Sequence, residues 1–183
     1  MKKLLALVIA GSALVACSSN KAPVEAPVAS APAPAPVASA PVVSNHNSVY
    51  FAFNKYDIKD DYAGVVKANG SYLAANAAAK VQVQGNTDDI GSVEYNLSLG
   101  QKRADAVKKA LIATGASKAQ VEATSNGKLK AKYANDTSEA RAMNRRADIT
   151  YKAAQPAGYS EDSNGLPMVD SSVYNGTVAQ GVE

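Results

Sequence analysis

Cysteine is almost missing from this chain: Cys17 is the only one in 183 residues, so no disulfide can close within one copy. Histidine is as scarce, and its one representative, His46, falls in a segment that reads as linker. These two shortages exclude a Cys–His pair, a Ser–His–Asp triad with a well-placed base, and any multi-histidine metal site. Tryptophan is absent. No apolar run is long enough to cross a bilayer; the longest, at the N-terminus, is too short to count as a transmembrane helix. Basic residues are absent from the end of the chain, where residues 153–183 hold four acids. Residues 45–152 hold sixteen Lys and Arg against eleven Asp and Glu. That mild excess suits an anionic polymer, and it equally suits ordinary solubility.

Residues 1–16 have the form of a targeting segment, with Lys2 and Lys3 ahead of the apolar stretch Leu4–Ile9 and of Leu14 and Val15. The segment ends Leu14-Val15-Ala16-Cys17, which looks like a bacterial lipobox. Cleavage before Cys17 and acylation of that residue are expected, the competing reading being an ordinary signal peptide with a chance cysteine. Several acyl chains anchor stably where one alone is marginal. In such signals a Ser at position 18 favours the outer membrane, which places the domain in the periplasm. Residues 17–47 form a linker: six of the eight prolines lie between Pro23 and Pro41, in an Ala-Pro-Val-Ser background that favours extended polyproline II. Such a tether reaches at most about 90 Å.

From residue 48 to 153 the composition is globular. Val49, Phe51 and Phe53 alternate as a first strand, Asp60 or Asp61 starts a helix running to about Ala77, and Ala79–Gln84 form a second strand ended by Gly85. Val65, Val66, Ala68, Tyr72 and Leu73 give that helix its apolar face, while Gly64 and Gly70 weaken it. Asn86 to Asp89 are loop or cap residues, Gly91 permits a turn, and Ser92 caps a helix over Val93–Thr114 that Gly115 stops. Ser117 starts a short turn. A third strand at Val121–Ser125 ends at Asn126-Gly127, a short helix covers Thr137–Asn144, and a fourth strand covers Arg146–Tyr151 with Ala147, Ile149 and Tyr151 on one face. The order β-α-β-α-β-(α)-β predicts an α/β (α+β) two-layer sandwich, helices on a small mixed sheet, with the first two strands able to pair in parallel through a right-handed crossover. Residues 154–183 lack a core-forming pattern and are expected to be a disordered acidic tail, with a turn at Asn164-Gly165 and one candidate strand at Val169–Tyr174.

Arg103 breaks the pattern of the long helix. Leu97, Leu99, Gly100, Ala104, Val107, Ala110 and Leu111 share one apolar or small face, and Arg103 lies within it, whereas Lys102, Asp105, Lys108 and Lys109 lie outside. A lone cation on a core-facing stripe is costly unless paired, and Asp88, in the loop ahead of the helix, is the candidate partner. Two readings stay open. The pair is a structural ion pair, or it is a site offering one anion and one cation to a zwitterion.

The surrounding stretch, TD-x-x-G-x-x-x-Y-N-x-x-L-x-x-x-RA, stands here as Thr87, Asp88, Gly91, Tyr95, Asn96, Leu99, Arg103 and Ala104. It resembles the OmpA-like peptidoglycan-binding family, in particular its branch of peptidoglycan-associated lipoproteins. The match runs from FAFNKYDI (Phe51–Ile58) to NRRADI (Asn144–Ile149). The resemblance implies that Asp88 and Arg103 bind the diaminopimelate of the peptide stem. It sets Phe53, Asn54, Thr87 and Leu99 at the same site, with Asn144 and Arg145 closing its rim. Asn54 is a departure, since many members carry Asp there; contacts through backbone amides survive the change and contacts through a carboxylate do not. The implied function is a lipid-anchored binder that tethers outer membrane to cell wall and supports envelope integrity. The alternative is a Tol–Pal interaction protein acting in envelope constriction at division, with a periplasmic propeller protein as partner. Asp88 and Asp89 are neighbours and point apart, so a wall-trimming enzyme lacks its acid–base pair. No cofactor beyond the lipid on Cys17 and no nucleic-acid partner is expected.

Overall fold

Val81 and Val83 are buried while Gln82 and Gln84 on the same strand are half-exposed. That alternation sets the layer structure: one face of the sheet takes the helices, the other stays polar. The computed structural model describes residues 46–170, all within one unit spanning Pro34–Glu183. The expected signal segment, Cys17 and most of the linker lie outside these residues, as do residues 171–183.

The elements are β1 (Ser48–Tyr50), α1 (Ala63–Ala75) after a 3₁₀ turn at Asp60–Tyr62, β2 (Lys80–Asn86), α2 (Val93–Ala113), β3 (Val121–Gly127) after a 3₁₀ turn at Lys118–Gln120, α3 (Ser138–Asn144), β4 (Arg146–Ala153), β5 (Tyr159–Glu161) and β6 (Pro167–Val169). Caps set the boundaries of α2 and α3 as the sequence led us to expect, whereas α1 starts at Ala63 behind the 3₁₀ turn with no side-chain cap from Asp60 or Asp61 and ends at Ala75, short of Ala77. Ser92 accepts a hydrogen bond from the Tyr95 amide, and Gly115, at φ +116°, follows α2. Thr137 caps α3 by accepting from the Ala140 amide.

The strand order is β1-β4-β2-β3. β2 and β3 pair in parallel across α2, while β4 runs antiparallel to both β1 and β2. The first two strands are therefore parallel but not neighbours, which corrects the expected pairing. β4 enters between them because Ala147, Ile149 and Tyr151 need two flanking strands to be buried with Val49, Val81 and Val83 beneath the helices. Val66 and Leu73 of α1 and Ala104, Val107 and Leu111 of α2 close that core.

Two boundaries differ from expectation for steric reasons. β2 does not end at Gly85 but runs on to Asn86. Gly85 is a point of contact with α2: a Cβ there lies 1.8 Å from the Gly100 carbonyl oxygen, so both glycines are required by the approach of helix to strand. β1 stops at Tyr50, and Phe53 sits half-buried in a turn closed by the Lys55 amide donating to Ala52.

The segment after Ala153 is the largest correction. Residues 159–169 form an antiparallel hairpin, β5–β6, in which Leu166 and Val169 are fully buried. Asp162 Oδ1 accepts from the Asn164 and Leu166 amides and shapes the turn. The hairpin docks on the residues leading into β1: the Asn47 amide donates to the Pro167 carbonyl at 2.8 Å, and His46 bridges to Met168. His46 and Asn47 are thus sheet residues rather than linker, with His46 buried and its Nε2 3.5 Å from Asp162. The apolar set that achieves this is too small to show as a periodic pattern.

Candidate functional site

The loop joining β2 to α2 is tied down from both ends. The Thr87 amide donates to the Gly127 carbonyl, and its hydroxyl donates to the Asp88 carbonyl. Asn96, on the first turn of α2, donates through Nδ2 to the carbonyls of Ile90 and Ser92. Lys128 Nζ donates to the carbonyls of Asp89 and Gly91. The result is a rigid strand-to-helix turn that holds Asp88 at a fixed height beside the loop following β1.

Arg103 reaches that second loop from α2. Its side chain is completely buried. Nε donates to the Lys55 carbonyl at 2.9 Å, Nη1 to Asn86 at 2.9 Å and Nη2 to Ala52 at 3.2 Å. The guanidinium also lies 5.2 Å from the centre of the Phe51 ring. Burial pulls its pKa down to about 10, opposed by the nearby Asp88 charge and reinforced by that of Arg145. It remains a cation at neutral pH.

Asp88 is buried as well, and its hydrogen-bonded partner is Arg145, not Arg103: Nη1 of Arg145 lies 3.2 Å from Oδ2. Arg145 Nε donates to the Phe51 carbonyl. The expected pairing is corrected on a simple ground. Three backbone carbonyls at the ends of β2 and of the Ala52–Lys55 turn take the Arg103 donors, and Arg145, the residue that caps the C-terminus of α3, reaches the carboxylate instead. Asp88 Oδ1 takes no hydrogen bond from a described residue.

Of the other expected site residues, Phe53 and Asn54 stand on the loop that Arg103 clamps. Asn54 adopts φ +56°, a left-handed conformation that Asn tolerates, and its Oδ1 accepts from the Tyr95 hydroxyl. Thr87 is buried beneath the loop and Leu99 is buried on α2. Asn144 is not a rim residue: fully buried, it accepts from the amides of Lys132 and Tyr133 and donates to Tyr133 and Asn135, so it shapes the 132–135 loop. Arg145 is not an exposed rim cation but the inner partner of Asp88. Sequence reasoning missed Lys128, whose only signal is that of an ordinary surface lysine. It also missed the exposed Tyr56, Ile90 and Val93, which with Tyr95 give the site an apolar margin.

What this geometry defines is a binding domain: two loops held by one buried arginine, with an acid between two guanidiniums. The OmpA family matches residues 50–145. The peptidoglycan-associated lipoprotein of Pasteurella multocida (strain Pm70) is 40% identical over 154 residues, covering 82% of this chain and 100% of that protein. That of Haemophilus influenzae is 40% identical over 147 residues, covering 79% and 95%. The crystal structure of the peptidoglycan-associated lipoprotein from Burkholderia pseudomallei superposes with a TM-score of 0.57 at 44% identity, covering 57% of this chain and 89% of that one. The chain belongs to the OmpA family, and its high-coverage relatives are peptidoglycan-associated lipoproteins. Neither the family nor these relatives carries the name of an enzyme.

Proposed function

We propose that this protein is a lipid-anchored periplasmic binder of peptidoglycan that recognises the diaminopimelate of the peptide stem and so tethers the outer membrane to the wall, without covalent chemistry. One observation carries this reading. Asp88, Arg103 and Arg145 are all buried and cluster together, so one carboxylate stands beside two guanidiniums at the loop that follows β1. The free end of diaminopimelate is itself a zwitterion. Its ammonium suits Asp88 Oδ1, and its carboxylate suits the field of the two guanidiniums, which act from just beneath the surface. A lysine-type stem has the ammonium but lacks that distal carboxylate. The names of the relatives support the wall as the ligand and a lipid on Cys17 as the anchor, with the outer membrane as the place.

The test is a sacculus pull-down beside a thermal melt. Asp88→Asn keeps the size and one hydrogen bond to Arg145 while removing the charge. It should remain folded at the assay temperature and bind diaminopimelate-type sacculi about ten- to a hundredfold more weakly. Lysine-type sacculi should be retained less well by the unaltered protein. A folded Asp88→Asn that sediments like the unaltered protein overturns the site.

A second reading, a protein–protein role with a periplasmic propeller protein of the Tol system, is favoured by the exposed Ile90, Val93, Tyr95 and Leu129. Leu129→Ser, at the one of these residues outside the margin of the site, should weaken such a contact and leave sacculus binding within a few-fold.

A further inference from the structure

The sheet face turned away from the helices carries a cavity of about 380 Å³ between the strands, the 130–132 loop and the β5–β6 hairpin. Its floor is a chain of side-chain hydrogen bonds across β2, β3 and β4. Gln84 Nε2 donates to Gln82, Asn126 Nδ2 donates to Asn86 Oδ1 at 3.0 Å, and Asn86 Nδ2 donates to Asp148 Oδ2 at 3.0 Å. Asn86 and Asp148 are both more than nine-tenths buried. The Asp148 charge is cancelled within the floor, since Oδ1 accepts from Arg146 Nε at 2.9 Å and from the Ser48 hydroxyl. The walls are different in character. Lys130, Lys132 and Lys152 surround the opening, and none forms an ion pair among the described residues. Among the described residues Glu161 is the one acid left to oppose them.

Both amide hydrogens of Asn86 and both of Asn126 are spent within the floor, which leaves the second Gln84 amide hydrogen as a donor and the Asn126 carboxamide oxygen as an acceptor for a ligand hydroxyl, while the ring of ammonium groups selects an anion. The volume falls in the range of small-molecule sites, toward its lower end. We infer that this cavity is a binding site for a small, hydroxyl-rich anion, of the sugar-acid or glycerol-phosphate type, separate from the Asp88 site and completed by the C-terminal hairpin. The hairpin supplies Glu161, Gly165 and Pro167 to the wall, which gives its docking on the domain a function beyond stability.

The side-chain amides make the test direct. In the full chain labelled with ¹⁵N, titration with glucuronate or with glycerol phosphate should shift the side-chain NH₂ resonances of Gln84, Asn86 and Asn126 saturably, and glucose should not. Whichever anion binds more tightly identifies the source of the ligand. The double substitution Lys130→Gln, Lys152→Gln alters two exposed side chains and should weaken the anion by about tenfold. Asp88→Asn should leave the titration unchanged, so this site and the peptidoglycan site fail independently. Absence of saturable shifts for both anions, equal binding of glucose, or an unaltered affinity in the double variant overturns the proposal.

Discussion

Arg103 shows how one residue serves two purposes. As a cation it adds to the positive field around Asp88, and as a triple donor it holds the Ala52–Lys55 turn against the end of β2. The second role makes it structural. Arg103→Ala leaves three carbonyls without their donor and should lower unfolding free energy by about 3 kcal/mol or more, read by urea denaturation. An Arg103→Ala protein as stable as the parent would refute the clamp. Tyrosines add a pH limit. Burial raises the pKa of Tyr50, Tyr62, Tyr133 and Tyr159 above the ordinary value. A group whose folded pKa is raised contributes stability that is complete below its unfolded pKa, about 10, and lost as pH climbs toward the folded value. Stability should therefore fall from about pH 10 upward. Tyrosinate absorbance should show these four ionising only as the domain unfolds; their ionisation in the folded domain near pH 10 would contradict it. Arg103 could be found in the sequence because a cation on an apolar helix face is conspicuous. Its true partners could not, because a backbone carbonyl belongs to every residue and leaves no mark. The same ambiguity sent Arg145 to the rim on paper when it is the inner partner of Asp88.

At the scale of elements, the long helix was legible almost to the residue: Ser92, the apolar stripe and Gly115 act through local geometry, which sequence records. Gly85 was not. Read locally, it ends a strand; in three dimensions it is where α2 touches β2. The consequence is a graded prediction. A Cβ on Gly85 meets the Gly100 carbonyl oxygen and carbon at 1.8 and 2.6 Å, whereas one on Gly100 first meets the Ser125 hydroxyl at 2.3 Å and the Gly85 carbonyl at 2.8 Å. A side chain can yield more readily than a backbone, so Gly85→Ala should lower the melting temperature more than Gly100→Ala, each costing on the order of 1–3 kcal/mol or more. The reverse order would show that α2 and β2 can part more easily than their contact suggests. The 159–169 hairpin escaped sequence reading for a different reason: its gain comes from a few buried residues and an edge provided by a distant part of the chain.

Across the whole molecule, the strand order β1-β4-β2-β3 depends on contacts between segments about a hundred residues apart, and no local pattern specifies that β4 enters between β1 and β2. The layers were legible, the order was not. Ending the chain after Lys152 removes Leu166 and Val169 from full burial and strips the Pro167 acceptor from Asn47. Each buried aliphatic is worth about 1.5–3 kcal/mol, and at about 4 °C or more per kcal/mol for a domain of this size the two together should lower the melting temperature by more than about 10 °C. A melt unchanged by truncation would mean the hairpin contributes nothing to the fold. For the proposed anchor, Cys17→Ser should leave the protein in the soluble periplasmic fraction or as unprocessed precursor. Equal incorporation of labelled fatty acid into the variant would refute acylation at that residue.

The brevity of β1 has a mechanical meaning. Ser48–Tyr50 is three residues long and leads straight into the loop that Arg103 grips beside Asp88. Tension arriving along the chain from its N-terminal side meets the His46 contacts with Met168 and Asp162 and the Asn47 bond to Pro167, then the short ladder to β4, and then the Ala52–Lys55 loop itself. Pull and grip are in series over fewer than ten residues. A domain that holds a wall polymer while being hauled by a membrane would thus feel load at its binding loop almost without attenuation, and the strength of its hold should depend on how hard it is pulled.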